Sequence, residues 1–540
     1  MADPTSYTND HRCGIESAAR RSRRARGWIA TVVACAAATL VFVHPVCAAA
    51  PDSGAPVVKT RAGAVRGTVD GNVRVFLGIP YAAPPVGNLR WQPPAAHASW
   101  TDTLDASRAG NSCTQMSFRH SGPEGSEDCL YLNVYTPNPA AARLPVMVWI
   151  HGGTFIVGTG ATYNGSKLAA KGNLIVVTIN YRLGPFGFLA SRSLDSPGHP
   201  SGNYGLLDQQ AALRWVKDNI AAFGGDPNKV TVAGESAGAI SIGLHLVSPA
   251  AAGLFARAIL ESGPFLRART LAESETSGDE FAAKLGCDKA SDVAGCMRSK
   301  PAEQVLSAIP VNPLAAGRPV WEPAMDGSLI PSQPAEALAA GHFNKVPVLN
   351  GSNRDEGTLF LAFSKPASAQ KFEADIHKRF GNDAARVLAA YPLANYSSPA
   401  LAEAAGFGDA VFSCPIIKAA AILSTQVPVY QYEFNDTHAP LSFFHNPPFP
   451  LGAFHGSEIQ YVFGGPAANA GASPAQQKLS DDMMAYWIGF ITSGNPGGSP
   501  QWTRYSASDH KVLSLAPGAI GYESDFAKIH HCDLWDSIRR

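Results

Sequence analysis

The sequence is poor in charge. Only 16% of its 540 residues are Asp, Glu, Lys or Arg, and 43 basic side chains balance 43 acidic ones. With no net charge, the chain has no global basic field to gather nucleic acid or an anionic membrane. Apolar residues reach 46%, so the low hydrophobicity and high charge that keep chains disordered are missing as well. No Cys-x-x-Cys pair and no histidine-rich cluster suggests zinc. No repeat, low-complexity tract or long charge run divides residues 51–540. What is abundant is glycine, 51, and proline, 41, which suits a loop-rich globular protein better than a helical bundle. A core of several hundred residues needs neither metal nor disulfide merely to fold.

The start of the chain reads differently. Arg20, Arg21, Arg23, Arg24 and Arg26 form a basic cluster, Trp28 to Val43 is an apolar run, and Ala48-Ala49-Ala50 is a small-residue cleavage site. This is the layout of a secretory signal peptide, with cleavage after Ala50. As a membrane anchor the run is shorter than the roughly 20 residues a spanning helix needs, and His44-Pro45 interrupts it. Residues 1–50 are therefore expected to be removed. Residues 51–540 would be a periplasmic or secreted chain with no integral membrane span. Cysteine usage agrees. Cys13, Cys35 and Cys47 fall in the discarded segment, which leaves Cys113, Cys129, Cys287, Cys296, Cys414 and Cys532. An even set in an exported chain implies disulfides, with fifteen possible pairings.

Short continuous apolar runs recur through residues 51–540. Leu144 to Ile150, Leu174 to Ile179, Lys229 to Ala233 and Val346 to Leu349 are rich in β-branched residues and bounded by turns. Such runs fit strands of a sheet covered on both faces. Gly205 to Ile220 has helical apolar spacing, with Leu206, Leu207, Ala211, Leu213, Val216 and Ile220 on its buried face. Ser480 to Ile491 reads as another helix with Ser480 as N-cap. Alternating strands and helices predict an α/β fold with a mostly parallel sheet between helices.

Gly234-Glu235-Ser236-Ala237-Gly238 follows the 229–233 strand directly, and a helix-compatible run, Ala237 to Val247, follows it. Strand, sharp turn and helix is the context in which Gly-x-Ser-x-Gly presents a nucleophilic serine above a sheet. Without that context the pentad is an ordinary tight turn. His151-Gly152-Gly153 ends an earlier strand. Its Gly152 and Gly153 amides, with that of Ala237, are candidate donors to a tetrahedral oxyanion. The chain order for such a site is Ser, then Asp or Glu, then His. Asp355 and Glu356, after the 346–349 strand, are equal candidates by residue type alone. Any one of 15 histidines is by default a surface or core residue.

Three longer stretches narrow the choice. Phe76 to Trp91 (FLGIPYAAPPVGNLRW), Ser126 to Val134 (SEDCLYLNV) and Phe223 to Gly238 (FGGDPNKVTVAGESAG) together resemble the type-B carboxylesterase, or carboxylesterase/cholinesterase, family of the α/β-hydrolase fold. The likeness spans nearly all of residues 51–540. It implies Glu356 as the acid, His455 of Phe454-His455-Gly456-Ser457-Glu458 as the base, and Glu235, Ser262 and Glu458 as polar side chains supporting them. It also implies disulfides Cys113–Cys129, Cys287–Cys296 and Cys414–Cys532. The expected activity is hydrolysis of a small-molecule carboxylic ester through an acyl-Ser236 intermediate, with no metal or organic cofactor. Relatives without catalysis typically lose a triad member, and here all three positions are filled.

Substrate class is read less directly. Cholinesterases carry a choline-binding tryptophan between the first two disulfide cysteines; the segment from Cys113 to Cys129 has none. Arg119 lies there, and Arg318 lies in the expected acyl-pocket segment, where Gly317 and Pro319 suggest a roomy pocket. These arginines are candidates for binding a substrate carboxylate. A bulky, anionic ester such as a fumonisin-type tricarballylate is one expectation, and a generic short-chain or p-nitrobenzyl-type ester is the other. The sequence is silent on oligomeric state.

Overall fold

A computed structural model describes residues 54–117, 122–139, 141–195, 198, 200–309, 321–362, 368–441, 446–465 and 471–538. The signal-peptide expectation for residues 1–50, and the pocket expectations for Arg119 and Arg318, lie outside the described residues.

Among the described residues, eleven strands form the main sheet. In chain order they are β1 (Thr68–Asp70), β2 (Val73–Pro80), β3 (Tyr131–Pro137), β4 (Leu144–Ile150), β5 (Ile175–Ile179), β6 (Gly225–Glu235), β7 (Arg257–Glu261), β8 (Val348–Asn353), β9 (Val429–Phe434), β10 (Val512–Leu515) and β11 (Gly521–Glu523). Across the sheet they run β11-β10-β9-β8-β7-β6-β4-β5-β3-β2-β1. The stretch from β10 to β5 is parallel throughout, and antiparallel strands close both edges.

The apolar runs become the sheet's centre because both faces are covered. In β4, Val146, Val148 and Ile150 join the core on one face, while Met147 and Trp149 join the core on the other. The first core is covered by α1 (Tyr204–Asn219) and α2 (Ala237–Val247). The chain returns through α3 (Glu356–Ala362), α4 (Pro399–Gly408) and α5 (Cys414–Ser424). The second core is covered by α6 (Pro474–Ser493), through Leu479, Met483, Trp487 and Phe490.

Two expectations are corrected. Helix α6 starts six residues before Ser480. Ser473 caps it reciprocally with Gln476, and Pro474 occupies the first turn, which is the Ser-x-x-Gln signature of a helix start. Ser480 instead donates its hydroxyl to the Tyr461 carbonyl. In α1, Leu207 and Ala211 are only half-buried, whereas Asp208, Gln209 and Gln210 are buried. The reason is that each has internal partners: Asp208 receives Arg182 through two parallel bonds of 2.7 and 2.8 Å, Gln209 bonds Ser241 and His245, and Gln210 donates to Ser248.

The two N-terminal stretches that resemble the family lock together. Arg90 of the first grips Glu127 of the second through both carboxylate oxygens. The disulfides are Cys113–Cys129, Cys287–Cys296 and Cys414–Cys532. Residues Pro399–Ser424 are long and apolar enough to cross a membrane by length and composition. Here Ile416, Ala419, Ala420 and Leu423 are buried in the core instead, and Cys414 is tied to Cys532.

The C-terminal segment is held by a buried ion cluster. His530 Nδ1 bonds Asp409 at 2.5 Å and Nε2 bonds Glu433 of β9 at 2.6 Å. Arg354 reaches Glu433 at 3.1 Å, and Glu523 stands beside the same carboxylate. Burial opposes charging of His530, but the bonds to Asp409 and Glu433 overcome it and raise its pKa to about 10. An imidazole raised from its ordinary value near 6.5 contributes stability that is complete below that value and is lost as pH climbs through the folded one. His530→Gln should therefore shrink the fall in melting temperature between pH 7 and pH 10; an unchanged slope would show that the imidazolium is not the group responsible. Glu523, raised to about 8 by burial and by Glu433, keeps a residual slope in the variant.

Candidate active site

The candidate side chains gather where parallel strands end, the edge at which open α/β sheets place their sites. β6 ends at Glu235 and Ser236 follows in a turn with φ 53° and ψ −121°, strained for any residue with a side chain. The turn is tight because two glycines let it approach β4. A Cβ on Gly234 would lie 2.5 Å from the Ile150 carbonyl, and one on Gly238 would lie 2.0 Å from it. The Ser236 amide donates to the Glu261 carbonyl at the end of β7, which fixes the turn from the other side.

β4 runs out into His151-Gly152-Gly153. Gly152 sits against the serine turn: a Cβ there would meet Glu235 Oε2 at 2.6 Å and Ser236 Cβ at 3.0 Å. His151 Nδ1 donates to the Gly152 carbonyl, so the trans peptide turns the Gly153 N–H the opposite way. Burial lowers the His151 pKa to about 4, which keeps the ring neutral beside the serine turn. Among the described residues, the amides of Gly152, Gly153 and Ala237 donate to no carbonyl or side chain.

His455 is buried, and its Nδ1 lies 2.6 Å from Glu356 Oε2. The other Glu356 oxygen accepts the Asn353 amide at 2.8 Å, which fixes the carboxylate's plane. Asp355, the alternative acid, has a different task. Its Oδ2 accepts the Ala453 amide and its own amide donates to the Ala453 carbonyl, so it fastens the loop that carries His455. Asn353 adds bonds to the Phe454 carbonyl and to Glu458. Neither Asn353 nor Asp355 was marked by motif as a fastener; both lie in the Asn-Arg-Asp-Glu-Gly run that pointed to the acid.

On its other side His455 Nε2 lies 3.1 Å from Glu235 Oε1, at an angle that makes no hydrogen bond. Ser236 Oγ has no hydrogen-bond partner among the described residues. Burial alone would lower the His455 pKa, but the Glu235 and Glu356 carboxylates outweigh it and hold it above the usual value. Glu235 is pushed up to about 7 by burial and by Glu356, against the pull of His455. Glu458 is raised further by burial and by Glu235, Glu261 and Glu356. Ser262 lies buried just past β7, with no partner for its hydroxyl among the described residues.

Glu261 completes this acid cluster and was missed by sequence reasoning. Burial pushes its pKa to about 8, and it accepts Trp487 Nε1 at 2.7 Å. A signal existed: β6 and β7 run side by side and both end in Glu-Ser, with Glu235 opposite Glu261. Also missed was an aromatic wall. Phe412 and Phe360 pack against the His455 ring with tilted planes, at 4.7 and 5.0 Å between centroids, and Phe407 is 5.5 Å from Phe360. No motif marks these three. Among the described residues no group of three or more His, Cys, Asp or Glu side chains is arranged to hold a metal ion.

A strand–serine–helix turn, an acid-bonded histidine and a cluster of unused backbone amides over one sheet edge define an α/β-hydrolase. The carboxylesterase family model matches residues 54–535. A para-nitrobenzyl esterase of Bacillus subtilis (strain 168) is 39% identical over 85% of this chain and 94% of its own length. A fumonisin B1 esterase of Sphingopyxis macrogoltabida is 40% identical over 85% of this chain and 86% of its own. A solved PNB esterase superposes with a TM-score of 0.77, covering 89% of this chain and all of that one at 37% identity. The chain belongs to the carboxylesterase family and is a carboxylic ester hydrolase.

If Glu356 holds the imidazole, Glu356→Gln should lower turnover by on the order of 10⁴-fold. Loss of that negative charge should also move the acidic limb of the pH–rate profile to lower pH. A limb that stays in place would show that Glu356 does not set the charge of His455.

Proposed function

We propose that Ser236, His455 and Glu356 form the catalytic triad and that the Gly152, Gly153 and Ala237 amides form the oxyanion hole. The observation that carries this reading is the 2.6 Å Glu356–His455 bond, with Nε2 unbonded among the described residues and beside the Glu235-Ser236 turn. Ser236 Oγ attacks the ester carbonyl while His455 Nε2 takes its proton. The Oγ–Nε2 bond forms as substrate seats, a common behaviour of catalytic hydrogen bonds. Glu356 keeps the proton on Nδ1 and stabilises the imidazolium. The carbonyl oxygen, now negative, is held by the three amides. Collapse expels the alcohol, which takes the His455 proton, and leaves acyl-Ser236. Water then repeats the attack with His455 as base, and Ser236 is released.

The leaving alcohol departs past His455, against Phe360, Phe407 and Phe412. That wall favours a bulky, apolar or aromatic alcohol, since such rings bury area without asking for polar partners. The para-nitrobenzyl esterase relative fits this reading. The likeness to a fumonisin B1 esterase supports a second one, in which the acid part is anionic and Arg119 and Arg318 receive it. Export through residues 1–50 belongs to the same proposal, and three disulfides suit an oxidising compartment.

Ser236→Ala should lower ester hydrolysis by on the order of 10⁶-fold and abolish covalent labelling by an organophosphate, at an unchanged melting temperature. Near wild-type turnover in that variant would remove the triad. In a substrate panel, a neutral p-nitrobenzyl ester should be cleaved faster than a polycarboxylate ester, and Arg119→Ala with Arg318→Ala should leave the ratio within about threefold. A polycarboxylate preference that collapses in the arginine variants would decide for the anionic reading.

A further inference from the structure

The turn that carries Gly152 and Gly153 has three consecutive residues at positive φ, two of them strained. Gly153, Thr154 and Phe155 have φ values of 106°, 52° and 61°, and the last two carry side chains that disfavour this region. Such a turn persists only when its surroundings fix it from several sides. From within, Ile156 and Val157 donate to the Gly153 carbonyl. From the sheet, Gly184 donates to the Phe155 carbonyl.

The remaining side is closed by Gln115, from the loop bounded by the Cys113–Cys129 disulfide. Its amide pairs with one residue in both directions. Gly158 N–H donates to Oε1 at 2.8 Å, and Nε2 donates to the Gly158 carbonyl at 3.0 Å. The second Nε2 hydrogen goes to the Cys113 carbonyl at 2.9 Å. Gln115 is buried, so water does not substitute for these bonds. Gly158 in turn rests on the start of the turn: a Cβ there would lie 2.3 Å from His151 Nδ1 and 2.7 Å from the Gly152 carbonyl. A shift of Gly158 is therefore felt by the peptide whose N–H is Gly153. Asn180 does the same on the far side of the loop, bonding the Gly160 amide and the Cys129 carbonyl.

We propose that Gln115 is a positioning residue for transition-state stabilisation: through Gly158 it holds the 151–158 turn so that the Gly152 and Gly153 amides meet the substrate oxyanion. This rests on the oxyanion hole proposed above. Gln115 touches no substrate atom in this account. Its loss should cost the transition state and spare the ground state, because ester binding before attack does not need those amides at full alignment.

The test compares Gln115→Met, which keeps length and loses all three bonds, with Gln115→Glu, which keeps an acceptor for Gly158 N–H. Both are assayed in the intact disulfide-bonded protein on a neutral ester. Each is also titrated with a trifluoromethyl ketone, which forms an oxyanion on Ser236, and with the matching non-fluorinated ketone. Gln115→Met should lower kcat at least 30-fold with KM within threefold, and weaken the fluoroketone in proportion while sparing the plain ketone. Gln115→Glu should fall between. The acidic limb of the pH profile should stay in place, since His455 is untouched. Equal weakening of both ketones, or unchanged kcat, overturns the positioning role. If Gln115→Met does not fold, an unchanged kcat in Gln115→Glu overturns it. Wild-type protein that binds the fluoroketone no better than the plain ketone would instead remove the oxyanion hole itself.

Discussion

Ser236 is held in a turn at φ 53° that only glycine neighbours allow, and that close approach dictates much of what surrounds it. The Ile150 carbonyl leaves no room for a Cβ at position 234 or 238, so β4 and β6 must be direct neighbours at this level. The Glu261 carbonyl, which receives the Ser236 amide, requires β7 on the other flank. A strained turn clamped between three parallel strands needs a stiff support, and the double-faced core supplies it. The same crowding forces Gly152 to be glycine, because the space its side chain would fill already belongs to Glu235 and Ser236. One backbone constraint thus fixes the serine, bares the amides beside it and selects the strand order.

Around this turn the protein buries four glutamates, Glu235, Glu261, Glu356 and Glu458, a number that electrostatics would oppose if all were ionised. Their environments separate them. Glu356 has both oxygens hydrogen-bonded, one by a backbone amide and one by His455. Glu458 and Glu261 are both pushed up by burial and by Glu235, so they hold their protons more tightly than an ordinary carboxyl. Glu235, at about 7, is the one poised to change. Its proton decides how much negative charge faces Nε2 of His455, so the imidazole's basicity depends on a neighbour that does not itself hydrogen-bond it. A cluster that looks excessive by charge count is balanced by sharing few negative charges among many oxygens.

Much of this was legible in the chain because the fold's regular parts are written in local patterns. The 144–150 run is continuous in apolar residues because both its faces are covered, and it becomes β4 without shift. The serine pentad is legible because its glycines answer a steric demand that acts within five residues. What was not legible depends on contacts far apart in sequence. Ser480 was a plausible cap, and only packing against Tyr461 shows why the helix runs through it. Leu207 and Ala211 fit an amphipathic pattern, but the buried pair of Arg182 and Asp208 rotates the true inner face toward polar side chains. Asp355 and Glu356 were equal by residue type because their roles differ only in which part of a loop a hundred residues away each one meets.

The aromatic wall shows how a surface beside the histidine is tied to a remote part of the chain. Phe412 belongs to a π-helical turn, Asp409–Ser413, inserted between α4 and α5. Such turns add a residue per cycle and so re-aim the side chains they carry. Here the turn sends Phe412 to the His455 ring and Asp409 to the opposite side, where it bonds His530 and receives Tyr391. The next residue after the turn, Cys414, is covalently tied to Cys532. The wall beside His455 is therefore stiffened from behind by the C-terminal ion cluster and its disulfide. Substitutions among residues 526–538 thus have a physical route to the His455 ring, through a turn whose two faces cannot move independently.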